Sequence, residues 1–425
     1  MSFYSKFLLF STIFCLANVF CYAQNTVPNH DYEAHLENDA VRRYMNEVRY
    51  ERNDTSVIDN YRKGIYYRKD WPNAVVIDIP QTTADSVMVI CCDDETLKDS
   101  LTFKVATNES TGELYNLIPN RTYRYDIKYN DDILQQGKIH TKGQVRMINV
   151  CNTVYNVRDL GGWKTADSMQ IRYGKIFRGT ELNGTYIATP EGLDLLRELG
   201  IGAELDLRAN YNVGHNTSAF GFSRYDTETG TGCYYYSSDS GQLPSHMTNY
   251  TYLNKWKYEF DFIVNNLRQG HSIYEHCVLG KDRTGYLSLL LEGILGLSYN
   301  DLIKEYELTY FWNGSKSEKD SIDKVIQYIE TMDGETLRDK FNTYFVNYLK
   351  VKQADIDYFR SEMLEVIKPE GIDDIATRNI ELYYDIPNNV ILYDLNGVRV
   401  TSTINGRFYL VRDRKGHTRK LFIRK

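Results

Sequence analysis

His276-Cys277-Val278-Leu279-Gly280-Lys281-Asp282-Arg283-Thr284-Gly285 is the stretch on which the reading of this chain turns. Ser272–His276, just before it, reads as a strand, and Arg283–Leu295 continues as an apolar helix. A tight loop that ends at a helix N-terminus aims its backbone N–H groups at one point, where they hold a thiolate or a bound dianion. Cys277 stands in that setting as the expected reactive thiol. Five residues separate it from Arg283, about one turn of loop, so the guanidinium returns to grip two oxygens of an oxyanion. Val278, Leu279, Gly280, Lys281, Thr284 and Gly285 complete the expected cradle. Gly280 tolerates unusual backbone angles, Thr284 is placed to hydrogen-bond the sulfur, and Gly285 permits close packing where the helix begins. Lys281 adds a second cation, read either as a contact for a further phosphate or as charge support for the loop. His276 is expected to tune the thiolate through hydrogen bonds, not to transfer protons.

Outward from this loop, residues 149–380 alternate strands with helices, which predicts an α/β domain: a mostly parallel sheet with helices on both faces. Ile171–Phe177, Ala203–Leu207, Cys233–Ser237 and Ser272–His276 read as strands, and Pro190–Leu199 and Tyr252–Leu267 as intervening helices. Helical periodicity dominates Asn300–Glu365, for instance at Ile322, Val325, Ile326 and Ile329. Arg178 and Arg208 fall at or just beyond carboxyl ends of strands, the edge where open α/β sheets gather ligands. Arg208 reads either as a phosphate contact or as a partner of Asp206, and Arg158 either as a substrate contact or as a lock on the turn with Asp159.

The flanks differ in texture. Residues 24–68 form a polar lead-in with one helix around Asp39–Arg49. Residues 69–148 carry short β-rich runs at Ala74–Ile79, Ser86–Cys91, Leu101–Val105, Tyr123–Tyr129 and Gly137–His140, separated by turn residues, which predicts an N-terminal β-sandwich. Residues 381–425 are β-rich again, at Val390–Leu395, Val398–Thr401, Phe408–Arg412 and Lys420–Ile423. Asn396-Gly397 and Asn405-Gly406 read as hairpin turns of a small C-terminal β domain.

Residues 1–23 read as a signal peptide, with Lys6 before the apolar run Phe7–Ala17 and a small-x-small site at Cys21-Tyr22-Ala23. No later run approaches the length of a membrane span, so no integral membrane segment is expected in the mature chain. The 425 residues are 42% hydrophobic and 25% charged, with a formal net charge of −7. That balance belongs to an ordinary globular protein and argues against nucleic acid as a partner. Of the seven cysteines, Cys15 and Cys21 fall in the leader. The odd remainder suits one free reactive thiol. No Cys/His metal spacing, Walker loop or dinucleotide fingerprint is present, so neither a metal nor an organic cofactor is expected. The oligomeric state is not legible.

His-Cys-x5-Arg-[Ser/Thr] is the signature of cysteine-based phosphatases, and the fuller His-Cys-x2-Gly-Lys-Asp-Arg-Thr-Gly resembles a bacterial tyrosine phosphatase branch. Asn156-Val157-Arg158-Asp159-Leu160-Gly161-Gly162 resembles a block near the start of that catalytic domain. Gly174-Lys175-Ile176-Phe177-Arg178-Gly179 and Leu205-Asp206-Leu207-Arg208 follow in the expected order. The resemblance spans about residues 149–310. It implies hydrolysis of phosphate monoesters by way of a phosphocysteine on Cys277, with Arg283 and the loop amides bearing the charge of the transferring group. It also implies Asp282 as general acid and later base. Other phosphatases place that aspartate on a separate loop, where Asp206 or Asp239 stands here.

The implied substrate is phosphotyrosine in proteins, with phosphoserine and phosphothreonine open. The alternatives are a phosphoinositide or inositol polyphosphate, and a surface binding protein carrying a vestigial phosphatase fold. Leu117-Ile118-Pro119-Asn120-Arg121-Thr122-Tyr123 resembles a turn of fibronectin type III modules. Leu392–Val400 with Gly406–Val411 resembles the sorting domains of the type IX secretion pathway in Bacteroidetes-type bacteria. Together with the leader, the tail implies export beyond the inner membrane, to the periplasm, the cell surface or the medium.

Overall fold

Residues 27–62, 70–93 and 100–367 are described by the computed structural model, together with the strands at 381–383, 391–393, 399–400, 407–412 and 418–423. The expected signal peptide and the expected turns at Asn396-Gly397 and Asn405-Gly406 lie outside the described residues. The chain divides into two compact units. One gathers the residues up to Ala34, Val75–Leu114 and Arg121–His140, and the other holds His35–Ala74, Tyr115–Asn120 and the chain from Thr141 onward.

The first unit is built from β1 (Tyr32–His35), β2 (Val75–Asp78), β3 (Ser86–Asp93), β4 (Ser100–Ala106), β5 (Thr111–Leu114), β6 (Thr122–Tyr129) and β7 (Asp132–Lys142). They form a five-stranded sheet in the order β1-β7-β6-β3-β4 and a separate β2-β5 ladder. Period-two patterning sets the inward face: Val87, Val89 and Cys91 on β3 and Tyr123, Tyr125 and Ile127 on β6 are buried. β7 extends well upstream of Gly137–His140. Tyr129 pairs with Asp132 across a two-residue turn, which Asn130 makes possible by taking a φ of 52°.

The second unit begins with the lead-in, α1 (Asp39–Glu47) and α2 (Ile58–Arg62). Asn38 caps α1 by accepting from the Ala40 and Val41 amides. Spacing of i, i+3, i+4 then puts Val41, Tyr44 and Met45 on one buried face. These residues, with Tyr50 and Ile58, join the hydrophobic cluster of the α/β domain. The lead-in is therefore part of that domain's core.

The α/β region runs β8 (Arg158–Asp159), β9 (Met169–Ile171), β10 (Ile176–Gly179), α3 (Pro190–Glu198), β11 (Ile201–Asp206), β12 (Tyr234–Tyr236), α4 (Tyr250–Arg268), β13 (Ser272–His276) and α5 (Asp282–Leu295). It continues with α6 (Tyr299–Glu307), α7 (Lys319–Glu330), α8 (Leu337–Asn347), α9 (Gln353–Met363) and β14 (Leu364–Val366). Its main sheet has the order β12-β11-β13-β10-β8. β13 pairs in parallel with both β10 and β11, β12 is parallel to β11, and β8 is an antiparallel edge.

Neighbouring residues of one strand serve separate cores. Ile176 and Ile273 join the large cluster, while Phe177 and Tyr274 join a smaller one with Leu196 of α3. Apolar layers thus cover both faces of the sheet. The expected strand Ile171–Phe177 is divided, because β9 leaves to pair with β14. α5 is buried nearly all round from Arg283 to Leu295, as its leucine-rich sequence requires, with Ser288 and Glu292 buried among the apolar residues.

Toward the carboxyl end, β15 (Glu381–Tyr383), β16 (Ile391–Tyr393), β17 (Arg399–Val400), β18 (Arg407–Arg412) and β19 (Thr418–Ile423) form one sheet in the order β15-β19-β18-β16-β17. In that order β16 stands between β17 and β18.

Candidate active site

The loop from Cys277 follows β13, a central strand of the sheet, and runs into α5. Its curl depends on glycine. Gly280 has a φ of 62°, and a Cβ there would come within 2.2 Å of the Gly179 carbonyl oxygen. Gly285 packs so closely on Tyr306 that a Cβ would meet its ring at 2.8 Å.

Donors from the surrounding shell hold the loop carbonyls. The Glu181 amide donates to Val278 O at 3.1 Å. Asn156 Nδ2 donates to Leu279 O and Gly280 O, each at 3.1 Å. Arg178 Nη2 donates to Gly280 O at 2.8 Å. In a planar trans peptide the N–H lies opposite the C=O, so carbonyls drawn outward turn their amides toward the hollow of the loop.

Cys277 is a free thiol and buried, with 4% of its surface exposed. His276 beside it is fully buried and pinned: Nε2 lies 3.1 Å from Glu204 Oε1 and Nδ1 3.2 Å from Cys277 O. A ring held between two fixed acceptors orients the loop. Asp282 opens α5, partly exposed. Burial pushes its carboxyl up, against the opposing pull of Lys281 at 3.5 Å. Arg283 lies one residue on; its Nη2 donates to Tyr211 Oη at 3.3 Å.

Several residues expected at the phosphate are engaged elsewhere. All five N–H donors of Arg208 are taken, by Asp206, Glu181, Val213 O and Gly214 O. Those of Arg158 go to Glu305, Asn156 and Thr309. Both side chains are buried: of the two readings of Arg208 the pairing with Asp206 is the one its bonds show, and Arg158 is bonded to Glu305 of α6 in place of the expected substrate contact. Arg158 does not lock the turn through Asp159 either, since that carboxylate accepts from Arg146 at 3.2 Å and from the Gly161 and Gly174 amides.

Asp206 is equally occupied, by Arg208, Tyr234 Oη and the Asn216 amide. Burial alone would raise its pKa, but the Arg208 bonds and nearby positive charge hold it below the ordinary carboxylate value. It is an anion with no room to deliver a proton. The ammonium of Lys281 donates to Glu318 Oε1 at 2.7 Å, which is the loop-support reading. Thr284 Oγ1 is buried without a hydrogen-bond partner, so it does not bond the sulfur.

Asn156 and Glu305 carry more of this architecture than their sequence positions suggest. Asn156 takes a φ of 56°, which turns its amide toward the loop. Its signal was in the sequence, at the head of the block that ends in Gly161-Gly162. Glu305 bridges Arg158 and Arg178, with Oε1 and Oε2 each accepting at 2.6 Å. It sits on a helix remote from any motif and carried no signal.

With the loop, its thiol and its arginine in place, comparison with known proteins is informative. A family model described as "Tyrosine phosphatase family" matches residues 150–365, just over half of the chain. The chain belongs to the tyrosine phosphatase family. The matched span takes in the whole main sheet and its loop, and it ends within β14. A curated protein of Cupriavidus necator that carries a tyrosine-protein phosphatase name is 26% identical over 167 residues, covering 36% of this chain and 60% of the relative. The aligned part of the chain thus spans about 60% of that relative's length.

Proposed function

We propose that the protein is an exported phosphatase that hydrolyses phosphotyrosine in proteins through a phosphocysteine intermediate. The observation that carries this is the outward capture of the Val278, Leu279 and Gly280 carbonyls, which leaves a ring of amides between Cys277 and Arg283. Cys277 Sγ attacks phosphorus in line with the ester oxygen. The S–P bond forms as the P–O bond breaks, and Arg283 with the loop amides carries the charge on the equatorial oxygens. Asp282 gives its proton to the departing phenolic oxygen. Asp282 then takes a proton from water as the water oxygen attacks phosphorus, which releases phosphate and returns the thiolate. The elevated carboxyl of Asp282 suits a group that must hold a proton beside a dianion.

Export rests on the leader at 1–23 and on the tail from residue 381. The first unit is read as a fibronectin III-like module that binds or spaces.

Wild type, Cys277→Ser and Asp282→Asn proteins incubated with phosphotyrosine peptides, phosphoserine peptides and inositol lipids test the reading. It expects fastest phosphate release by wild type from phosphotyrosine and none above background from Cys277→Ser. Release from an inositol lipid ahead of both peptides would replace the substrate while keeping the mechanism.

A further inference from the structure

Aromatic and apolar side chains lie on segments bonded to the cradle loop or to Arg283. Tyr155 and Trp312 stack with centroids 5.3 Å apart, and Tyr186 meets both edge-on at 5.6 Å. All three are half-buried. The trio is tied to the loop through its neighbours, since Asn156 bonds Leu279 O and Gly280 O and the Glu181 amide bonds Val278 O.

Ile187 follows Tyr186 and is 59% exposed. The segment containing them is bound to the loop after β11: Asn183 Nδ2 donates to Thr217 O at 2.7 Å. Gly184 stands so close to Val213 that a Cβ would lie 2.6 Å from its carbonyl oxygen. Val213 is 70% exposed and Tyr211 75%, and the Tyr211 hydroxyl returns to Arg283. Large apolar side chains this exposed, on segments bonded to one another, mark a contact surface.

The charges bonded around the cradle decide between occupants. Arg158, Arg178, Arg208 and Lys281 each face a carboxylate, from Glu305, Asp206, Glu181 or Glu318. All four are buried and so are not offered to a head group with several phosphates, while Tyr211, Val213 and Ile187 are exposed to apolar side chains. Resting on the phosphatase reading above, we propose that this rim docks the apolar residues flanking a phosphotyrosine in a protein segment. The enzyme then selects apolar over acidic flanks.

Steady-state kinetics of the full chain test it with three probes: p-nitrophenyl phosphate, a phosphotyrosine peptide flanked by Leu, Ile and Val, and the same peptide flanked by Asp and Glu. For wild type, kcat/KM should favour the apolar peptide by about 10-fold or more, on the scale of one or two buried aliphatic side chains. In Ile187→Asp and Val213→Asp, both at exposed positions, that ratio should collapse toward unity. Equal wild-type kcat/KM for the two peptides overturns the docking surface while p-nitrophenyl phosphate is still turned over. Failure to hydrolyse p-nitrophenyl phosphate overturns the phosphatase reading beneath it. Faster turnover of phosphoinositide vesicles than of either peptide also overturns the inference.

Discussion

The Asp239 carboxylate faces the Arg283 guanidinium, with Oδ1 3.1 Å from Nε. The N–H is not aligned on the oxygen, so the contact is an ion pair and not a hydrogen bond. Asp239 takes a φ of 57°, and its backbone is fixed on both sides: its amide donates to Arg208 O at 3.0 Å and its carbonyl accepts from Lys255 at 2.9 Å. An anionic side chain is thus held against the group that must grip the phosphate. Its carboxylate is 42% exposed, so the pair is worth at most about 1 kcal/mol. Asp239→Asn should strengthen competitive inhibition by inorganic phosphate about 2- to 5-fold at low salt, and less at high salt. An unchanged inhibition constant would show that this carboxylate does not compete with the ligand.

Asp282 is the second prediction. Its elevated carboxyl keeps the acid form further toward neutrality, so loss of its proton should shape the basic limb of the kcat profile. Asp282→Asn should lower kcat on a phosphotyrosine peptide by about 10²- to 10⁴-fold. p-Nitrophenyl phosphate, whose leaving group departs as an anion, should suffer less. The same loss on both substrates would move the acid to another residue.

Asn156→Ala removes a donor from Leu279 O and one from Gly280 O, which keeps its bond from Arg178. A buried acceptor left without its partner costs about 1–3 kcal/mol. We expect a lower melting temperature and a fall in kcat/KM of about 10-fold or more, because the amides are aimed by where the carbonyls are anchored. Lost stability with unchanged kcat/KM would detach Asn156 from the site.

Glu275 on β13 gives a pH dependence. Burial pushes its carboxyl up to about 8, with Arg178 pulling the other way and Glu305 and Glu259 adding to the rise. Folded, it binds a proton that the unfolded chain releases near the ordinary glutamate value of 4.5. The stability it contributes is therefore complete below that value and is lost as pH rises toward 8, at no more than about 1.4 kcal/mol per pH unit. Glu275→Gln keeps an acceptor for Ser288, whose hydroxyl donates to Oε1 at 2.5 Å, and removes the titration. Its melting temperature should gain on wild type between pH 5 and pH 8. A constant difference across that range would mean that the carboxyl does not carry the effect.

What was legible in the sequence was whatever depends on local order. The strand, loop and helix around Cys277 follow from patterning, and Gly280 from the curl the loop must make. Roles set by long-range contact were not legible. Arg158 is claimed by Glu305, 147 residues away along the chain, whereas Arg208 takes the Asp206 pairing its own neighbourhood offered and adds Glu181, 27 residues away. Lys281 was open for the same reason, since Glu318 arrives from beyond α6. The lead-in looked coreless because its apolar face is completed by helices far downstream.

The covalent step can be observed directly. Wild type and Cys277→Ser are mixed with a phosphotyrosine peptide and quenched in acid within the first turnover, and the proteolytic fragment containing residue 277 is weighed by mass spectrometry. We predict a phosphoryl group on Cys277 in wild type, and neither a modified fragment nor phosphate release in the serine variant. Phosphate released by Cys277→Ser at the wild-type rate, with residue 277 unmodified in both proteins, would contradict the account.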